Sequence, residues 1–593
     1  MTAAQASARQ SRGGGAASSG RAWVALLLPL AAGSAAALLS WQRWIGPFVD
    51  GSREMQVPAR LASGERLYRG VAYYYGPAAP WINGLALRLF GRRWAVLEVV
   101  GALAAAVLFA ALHRLTARAG SSLSALVAVT LGAALCIGAP NGGSFLFPYA
   151  FASLFSLAGG WAALAAAGGP RSPGTDAAAV AGLALALLAK PEVGAAACAI
   201  LALAALRAAQ PRPELRRTGL VLLGGGVAAA LGYVIAFRGI SLAELASEGP
   251  LVLFAPPAEW KAVYRVISGF ADPGASAGWI ATALFLDLAI LGAAFAVSRM
   301  GAGDGRPRAA ELAWYGVLAA GVVLLGTAAG GRIEDGLPPL LSPMPIVAVA
   351  AAAALLRRPL DAAARARFLL FGFAGLAALR VLLGLSYGFR TTPYSILALP
   401  GLAASAAVLA LDVAARGSAR RPAWRRAVTG LFAALALVGL LRLARFAPAD
   451  AWTSVTTPAG TLRAAPPVAA AITGSLDAIQ ARAKPGDGLA TFPEAGILNF
   501  VTGMPNPLRQ EQVLPGHLDA AAEARLIERL RSRGPRFLVV VDAPPPGWGP
   551  ARFGVDYAGG IAAEIDRLYD VAALAGPSGM ARIYERRQAQ RTR

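Results

Sequence analysis

The sequence predicts an α-helical polytopic membrane protein of about thirteen transmembrane helices, ending in a small extracytoplasmic α/β domain. Three observations predict it. Of the 593 residues, 56% are hydrophobic and only 15% charged, whereas soluble domains are about 45–50% apolar and about 25% charged. Apolar runs near the roughly 20 residues that cross a bilayer recur along most of the length. Beyond residue 450 the composition changes: charged and turn-forming residues return. Too many of the apolar runs lack a polar face for a large soluble enzyme with buried helices.

Residues 1–21 are polar, rich in Gly, Ser and Ala, and carry Arg9, Arg12 and Arg21. They read as a cytoplasmic tail. "AWVALLLPLAAGSAAALLSW" follows. It reads as an uncleaved first span rather than a signal peptide, because no clear cleavage site precedes "WQRW". Further spans are expected near 94–113, 122–139, 148–167, 177–190, 192–209, 219–237, 277–298, 312–330, 338–356, 368–385, 395–414 and 427–443. Together they make residues 22–445 the transmembrane domain. Pro191 in "AKPEVG" either kinks one long helix or separates two.

Charge orients these spans. The net charge is +23, yet the basic residues fall in short clusters between apolar runs, as in "RAAQPRPELRR", "RRPLDAAARAR" and "RGSARRPAWRR". This is the positive-inside pattern and not a nucleic-acid surface. The N-terminus is therefore expected inside, and an odd number of spans puts the C-terminal domain outside. Lysine occurs only at 190, 261 and 484. Cys136 and Cys198 both lie in predicted spans, so no disulfide framework is implied. His113 and His517 are far apart, which excludes a histidine-based zinc site.

Residues 450–593 read as the α/β domain. "RFLVVVDAP" is a buried strand, "LDAAAEARLIERLRSRG" a helix, and "DGLATF", "YDVAAL" and "ARIYERR" further strands. No glycine-rich phosphate loop or nucleophile elbow occurs in it. A support or acceptor-recognition role is expected, with "NFVTGMPNPLRQEQ" as the recognition segment.

The chemistry concentrates just after the first span, in "WIGPFVDGSREMQVPARLASGERLYRGVAYYYGP", Trp44 to Pro77. Asp50 sits at the membrane interface, where partial desolvation raises a carboxyl pKa toward general-base work. If "DGSRE" is helical, Glu54 shares its face. Such a pair suits a hard divalent cation (Mg or Mn), or a division of acid and base roles, or ordinary pairing with Arg53 and Arg60. Tyr73, Tyr74 and Tyr75 suit either an interfacial aromatic belt or stacking on a sugar ring. In "LLAKPEVG", Lys190 is placed to bind a phosphate as a point charge or to pair with Glu192. "GGRIEDGLPPLLSP" and "SYGFRTTPYS" fall on the same predicted outer side and bring Arg332, Arg390 and Tyr387, with Glu334 and Asp335 read as loop charges.

The run "DGSREM…LASGERLYR…YYYGP…LFG" resembles the first outer loop of bacterial membrane glycosyltransferases of the GT-C superfamily. Within that superfamily it resembles the protein mannosyltransferase, aminoarabinose transferase and rhizobial lipopolysaccharide-sugar transferase groups. The order of parts is also similar, and so is the tail with "NFVTGMPNP" and "FGVDYAGGIAAEIDRLYDV". The resemblance implies a GT-C fold and an inverting transfer of a sugar from a polyprenyl-phosphate donor to an extracytoplasmic lipid, glycan or protein. It implies Asp50 as the catalytic aspartate and Glu54 as its acidic companion. Lys190 would hold the lipid phosphate, with Arg332 and Arg390 as further candidates. The chain departs from several relatives in its second outer loop, "APNGGSFLFP", which has Asn141 and no carboxylate. It also has "DGSRE" rather than an adjacent acid pair.

The alternative reading is a transporter or flippase for a lipid-linked or polar substrate. That reading expects internal symmetry and ionisable or broken helices at the bilayer midplane, and no internal repeat is visible. A non-catalytic scaffold is a further alternative, and it would tolerate loss of Asp50.

Overall fold

The computed structural model describes residues 15–43, 45–139, 143–254, 256–267, 270–300, 343–379, 393–414, 421–445, 451–542 and 552–587. The chain begins with α1 (Gly15–Ser40), and the loop after it holds two short helices, α2 (Gly51–Ala62) and α3 (Ala78–Phe90). A bundle follows: α4 (Trp94–Ala119), α5 (Ser122–Cys136), α6 (Phe151–Ala167), α7 (Pro173–Ala189), α8 (Pro191–Leu206) and α9 (Pro211–Phe237). After the short α10 (Leu242–Glu248) and α11 (Ala258–Ile267) come α12 (Pro273–Met300), α13 (Met344–Leu355), α14 (Ala362–Ala378), α15 (Pro393–Val408) and α16 (Arg421–Arg445). Each predicted span that falls on described residues contains a helix. The span expected at 312–330 lies outside them. Among the described residues, three helices are long and apolar enough to cross a membrane by length and composition alone: Trp94–Ala119, Pro211–Phe237 and Pro422–Ala444. The count of about thirteen crossings is therefore not established by the helices themselves.

The ambiguity at Pro191 is resolved. Lys190 has an extended backbone, with φ −153° and ψ 98°, and Pro191 opens a new helix at its first position. Proline is tolerated there because that N–H has no intrahelical acceptor.

The basic loops have a local role besides topology. The Arg118 guanidinium donates to the Ala165 carbonyl at 2.6 Å, Arg217 to the Ala167 carbonyl at 2.9 Å, and Arg367 to the Ala119 carbonyl at 2.7 Å. These carbonyls end α6 and α4, where cations complement the helix dipole. Arg217 also bonds Asp176, and Arg365 pairs with Glu214, so neighbouring loops are tied together at this end of the bundle.

The C-terminal domain gathers at the other end. It opens with a hairpin, β1 (Thr453–Thr457) and β2 (Gly460–Ala464), followed by α17 (Pro466–Gln480). Next come β3 (Leu489–Phe492), α18 (Ile497–Thr502), α19 (Ala520–Arg533), β4 (Phe537–Val541), α20 (Gly559–Leu568), β5 (Tyr569–Ala575) and β6 (Ala581–Arg586). The four-stranded sheet has the order β3-β4-β6-β5, with β3 and β4 parallel and the remaining pairs antiparallel. All the expected strands are present. The β1–β2 hairpin was not expected; its strands join through Pro458 and Ala459, and Gly460 opens β2 at φ 114°.

The domain is packed onto the bundle rather than tethered to it. One continuous apolar core includes Leu112 and Phe151 of the helices together with Ile472, Leu489 and Phe500. The Trp94 indole N–H, at the start of α4, donates to the Thr461 carbonyl at 2.8 Å, and its ring stacks on Phe500. Buried Arg60 of α2 reaches Glu511, the Leu508 carbonyl and Glu65. Buried Glu248 of α10 receives Arg509, Arg525 and Arg529.

Removing one partner of a buried ion pair strands the other charge. Arg60→Ala is therefore expected to destabilise the protein by about 3–5 kcal/mol and to loosen the C-terminal domain. Unfolding in detergent, followed by limited proteolysis between residues 446 and 520, checks this.

Candidate active site

The site is built where α2 meets the C-terminal domain. Asp50 precedes α2 and has φ 62°, a conformation costly for a residue with a side chain. The turn before it leaves little choice, because a Cβ on Gly51 would overlap the Ile45 carbonyl. Only glycine at 51 lets the chain fold back so tightly, and this directs Asp50 away from the helix it precedes. The Asp50 side chain does not cap α2. Its Oδ1 is sealed from solvent and has no hydrogen-bond partner among the described residues. Burial raises its carboxyl to about 6, against the pull of Arg53; Glu54 pushes it further up, and a hydrogen bond from Tyr149 holds it down.

"DGSRE" is helical from Gly51, as the shared-face argument requires. Glu54 lies in the first turn of α2, but both its oxygens are occupied. Arg53 donates to Oε1 at 3.0 Å, and the Phe151 backbone N–H donates to Oε2 at 3.0 Å. Burial raises its pKa, and Arg53 opposes the rise. Arg53 is itself buried. It donates to Gln512 Oε1 at 2.6 Å, and its guanidinium carbon stands 5.4 Å from the centre of the Tyr75 ring and 5.1 Å from that of Tyr149.

Lys190, at the break between α7 and α8, joins the same cluster. Its ammonium donates to Ser153 Oγ at 3.0 Å, sits 5.4 Å from the Tyr75 ring centre, and stands 3.7 Å from Glu192. Glu192 is half-exposed. Lys190 also exerts its charge on Glu54. The three tyrosines divide. Tyr73 packs edge-on against Tyr75, whose hydroxyl meets that of Tyr149 at 3.2 Å. Tyr74 turns the other way, into a separate buried group with Trp260 and His517. All three rings are buried against protein. Arg332, Arg390, Tyr387, Glu334, Asp335 and Asn141 lie outside the described residues.

One residue was missed. Glu494 follows β3 and is fully buried against Asp50. Ser52 Oγ donates to its Oε1 at 3.2 Å, while Oε2 has no partner among the described residues. Burial, then the Asp50 charge, raises its carboxyl to about 8, with Arg53 opposing. The close approach depends on Gly496, where a Cβ would lie 2.9 Å from Gln56 Cβ and 3.2 Å from the Ser52 carbonyl. A faint sequence signal existed: an acid just past a buried strand, in "TFPEAG", is where ligand sites of α/β sheets collect.

The segment "NFVTGMPNPLRQEQ" is a wedge rather than an open surface. Asn499 holds the Leu489 and Met504 carbonyls, Glu511 pairs with Arg60, and Gln512 links Arg53 to His517. His517 is lowered to about 3 by burial and by Arg53, so it is neutral.

A divalent cation between Asp50 and Glu54 does not fit these residues. Glu54 is engaged by a guanidinium and an amide N–H, and among the described residues no three or more His, Cys, Asp or Glu side chains gather as ligands.

Arg53 is the cation shared by all the acids here. Arg53→Met is expected to cost about 3–5 kcal/mol of stability near pH 8, from the stranded charges. The loss should be smaller at pH 5, where the raised carboxyls take up protons. Denaturant unfolding at the two pH values measures the difference.

The sequence matches no family model and no curated protein. Among solved structures, the chain is similar to ArnT from Cupriavidus metallidurans bound to undecaprenyl phosphate. That likeness has a TM-score of 0.53 and 13% identity, over 96% of this chain and 98% of that one. The oligosaccharyltransferase of Archaeoglobus fulgidus, solved with Zn and sulfate, gives a TM-score of 0.45 and 12% identity over 87% of this chain and 68% of that one. The chain therefore has the fold of ArnT.

Proposed function

We propose that this protein is an inverting glycosyltransferase of a bacterial cytoplasmic (inner) membrane. It moves a sugar from a polyprenyl-phosphate donor to an acceptor on the outer face, with the N-terminus inside and the C-terminal domain outside. The observation that carries this reading is the Asp50 carboxylate. It is held in a strained turn, one oxygen is sealed and unpartnered, and the cations Arg53 and Lys190 stand in the same cluster. The fold shared with a protein solved with undecaprenyl phosphate adds support.

In the proposed reaction the acceptor oxygen attacks the anomeric carbon opposite the phosphate. The carbon–oxygen bond to phosphate breaks, and its electron pair leaves with the polyprenyl phosphate. Asp50 takes the acceptor proton. Lys190 meets the charge that grows on the leaving phosphate, and Arg332 and Arg390 are further candidates for that contact. Glu54 keeps Arg53 oriented. Membrane lipid surrounds the donor chain, and no nucleic acid takes part.

Purified protein in nanodiscs, offered a panel of polyprenyl-phosphate sugars, tests the reading through donor consumption followed by mass spectrometry. Asp50→Asn is expected to lower turnover by about 10²–10⁴-fold. Equal turnover in wild type and variant removes Asp50 from the role. Turnover should rise with pH through about 6, as the raised Asp50 carboxyl loses its proton. Lys190→Gln should slow turnover at saturating donor more than Glu192→Gln does, because only Lys190 faces the leaving phosphate.

A further inference from the structure

Asp50 and Glu494 present an unsolved hydrogen-bonding problem. Each is a carboxyl group lodged between α2 and the C-terminal domain, and each has one oxygen, Asp50 Oδ1 and Glu494 Oε2, with neither solvent nor partner among the described residues. Buried polar atoms left unpaired are rare because each costs its full desolvation. Two acceptors cannot satisfy one another. Adding one proton turns one of them into a donor that the other can accept.

We propose that Glu494 is the protonated partner of Asp50: a neutral acid that donates to the Asp50 carboxylate, keeps it ionised and aims it at the acceptor. This deepens the transferase reading and rests on it. Glu494 is a positioning residue, and it acts through Asp50.

The placement of the proton follows from the surroundings. Asp50 has Tyr149 as a hydrogen-bond donor, and Arg53 and Glu54 on α2 act on it with opposite signs. Glu494 has the Ser52 hydroxyl, the Asp50 backbone N–H and the charge of Arg53. The phenol of Tyr557, in the turn before α20, stands near enough to feel its charge. Lys190 acts on Glu54, and His517 faces Arg53 as a neutral ring, so neither adds a charge directly at Glu494. At Asp50 the pull of Arg53 outweighs the push of Glu54, whereas at Glu494 the push of Asp50 outweighs the pull of Arg53, so the proton belongs on Glu494. During transfer the acceptor proton passes to Asp50 while Glu494 keeps its own. Asp50 then releases its proton to water, and the pair returns to its starting state with one proton.

The test has a readout that needs no substrate. Difference infrared spectroscopy of the full chain in nanodiscs compares wild type with Glu494→Gln at neutral pH. A protonated-carboxyl carbonyl band is expected in wild type, absent in the variant, and titrating away near pH 8. Equal spectra overturn the proposal, as does a wild-type band that Glu494→Gln leaves in place. Unfolding gives a second readout. A raised carboxyl contributes stability that is full below its unfolded pKa and lost as pH rises through about 8. Glu494→Gln should flatten that decline. Where a transferred sugar can be followed, the amide should keep turnover within about tenfold, as a neutral donor, while Glu494→Ala loses more. Loss with Gln equal to that with Ala overturns the proposal. Failure of every donor to turn over, with the infrared band present, counts against the transferase reading alone.

Discussion

The Arg53 guanidinium is the contact on which the rest of the site depends. Buried, it bonds Glu54 and Gln512 and lies over Tyr75 and Tyr149. A buried cation is tolerated only with near-complete pairing, so its partners are constrained in turn. Glu54 is drawn to Arg53 and to the start of α6. Gln512 is drawn down from the C-terminal domain. Tyr75 is held with Lys190 also 5.4 Å from its ring centre. Because Arg53 is committed in this way, Asp50 receives its influence without a direct ion pair. The acid is lowered enough to ionise near neutral pH and left free enough to accept a proton.

The second constraint is steric. Two glycines, Gly51 and Gly496, allow two backbones to approach where any side chain would collide. One bends the chain so that Asp50 leaves α2, and the other lets the turn after β3 lie on α2. Together they bring a membrane-loop carboxyl and a C-terminal-domain carboxyl to one place. The domain is thus part of the site and not an appendage. The salt bridges of Arg60 and Glu248 hold it there, and the shared apolar core makes separation costly. The wedge of residues 499–512 completes the enclosure that an acceptor-recognition segment would leave open. If this domain recognises an acceptor, it does so with a surface other than that wedge.

The two carboxyls closest to the proposed chemistry have different surroundings, and these set different tasks. Asp50 keeps Tyr149 and a share of Arg53. Glu494 also feels Arg53, but there the like charge of Asp50 outweighs it. Environments that push two acids apart in this way are how one site keeps a base and an acid at the same pH. Glu54, which looked from its spacing like the partner acid, is instead the anchor of the cation.

The sequence alone determined the helical class, the long apolar helices among the described residues, the four strands of the larger sheet of the tail domain and the loop that carries Asp50. These are local properties: apolar runs of spanning length, alternation along strands, and an acid set beside aromatics at the end of a run. It also singled out Lys190 and Tyr75 as candidates, without showing that they meet. What only the tertiary structure decided is which distant groups meet. Ser52 and Glu494 are 442 residues apart, and nothing in the composition near either one encodes that contact. It arises because α2, the end of β3 and the start of α6 fit against one another at a few glycines and one buried guanidinium. The same physics explains why Tyr74 left its neighbours and why Glu54 is not free. Side-chain partners are chosen by packing, and packing is a property of the whole chain.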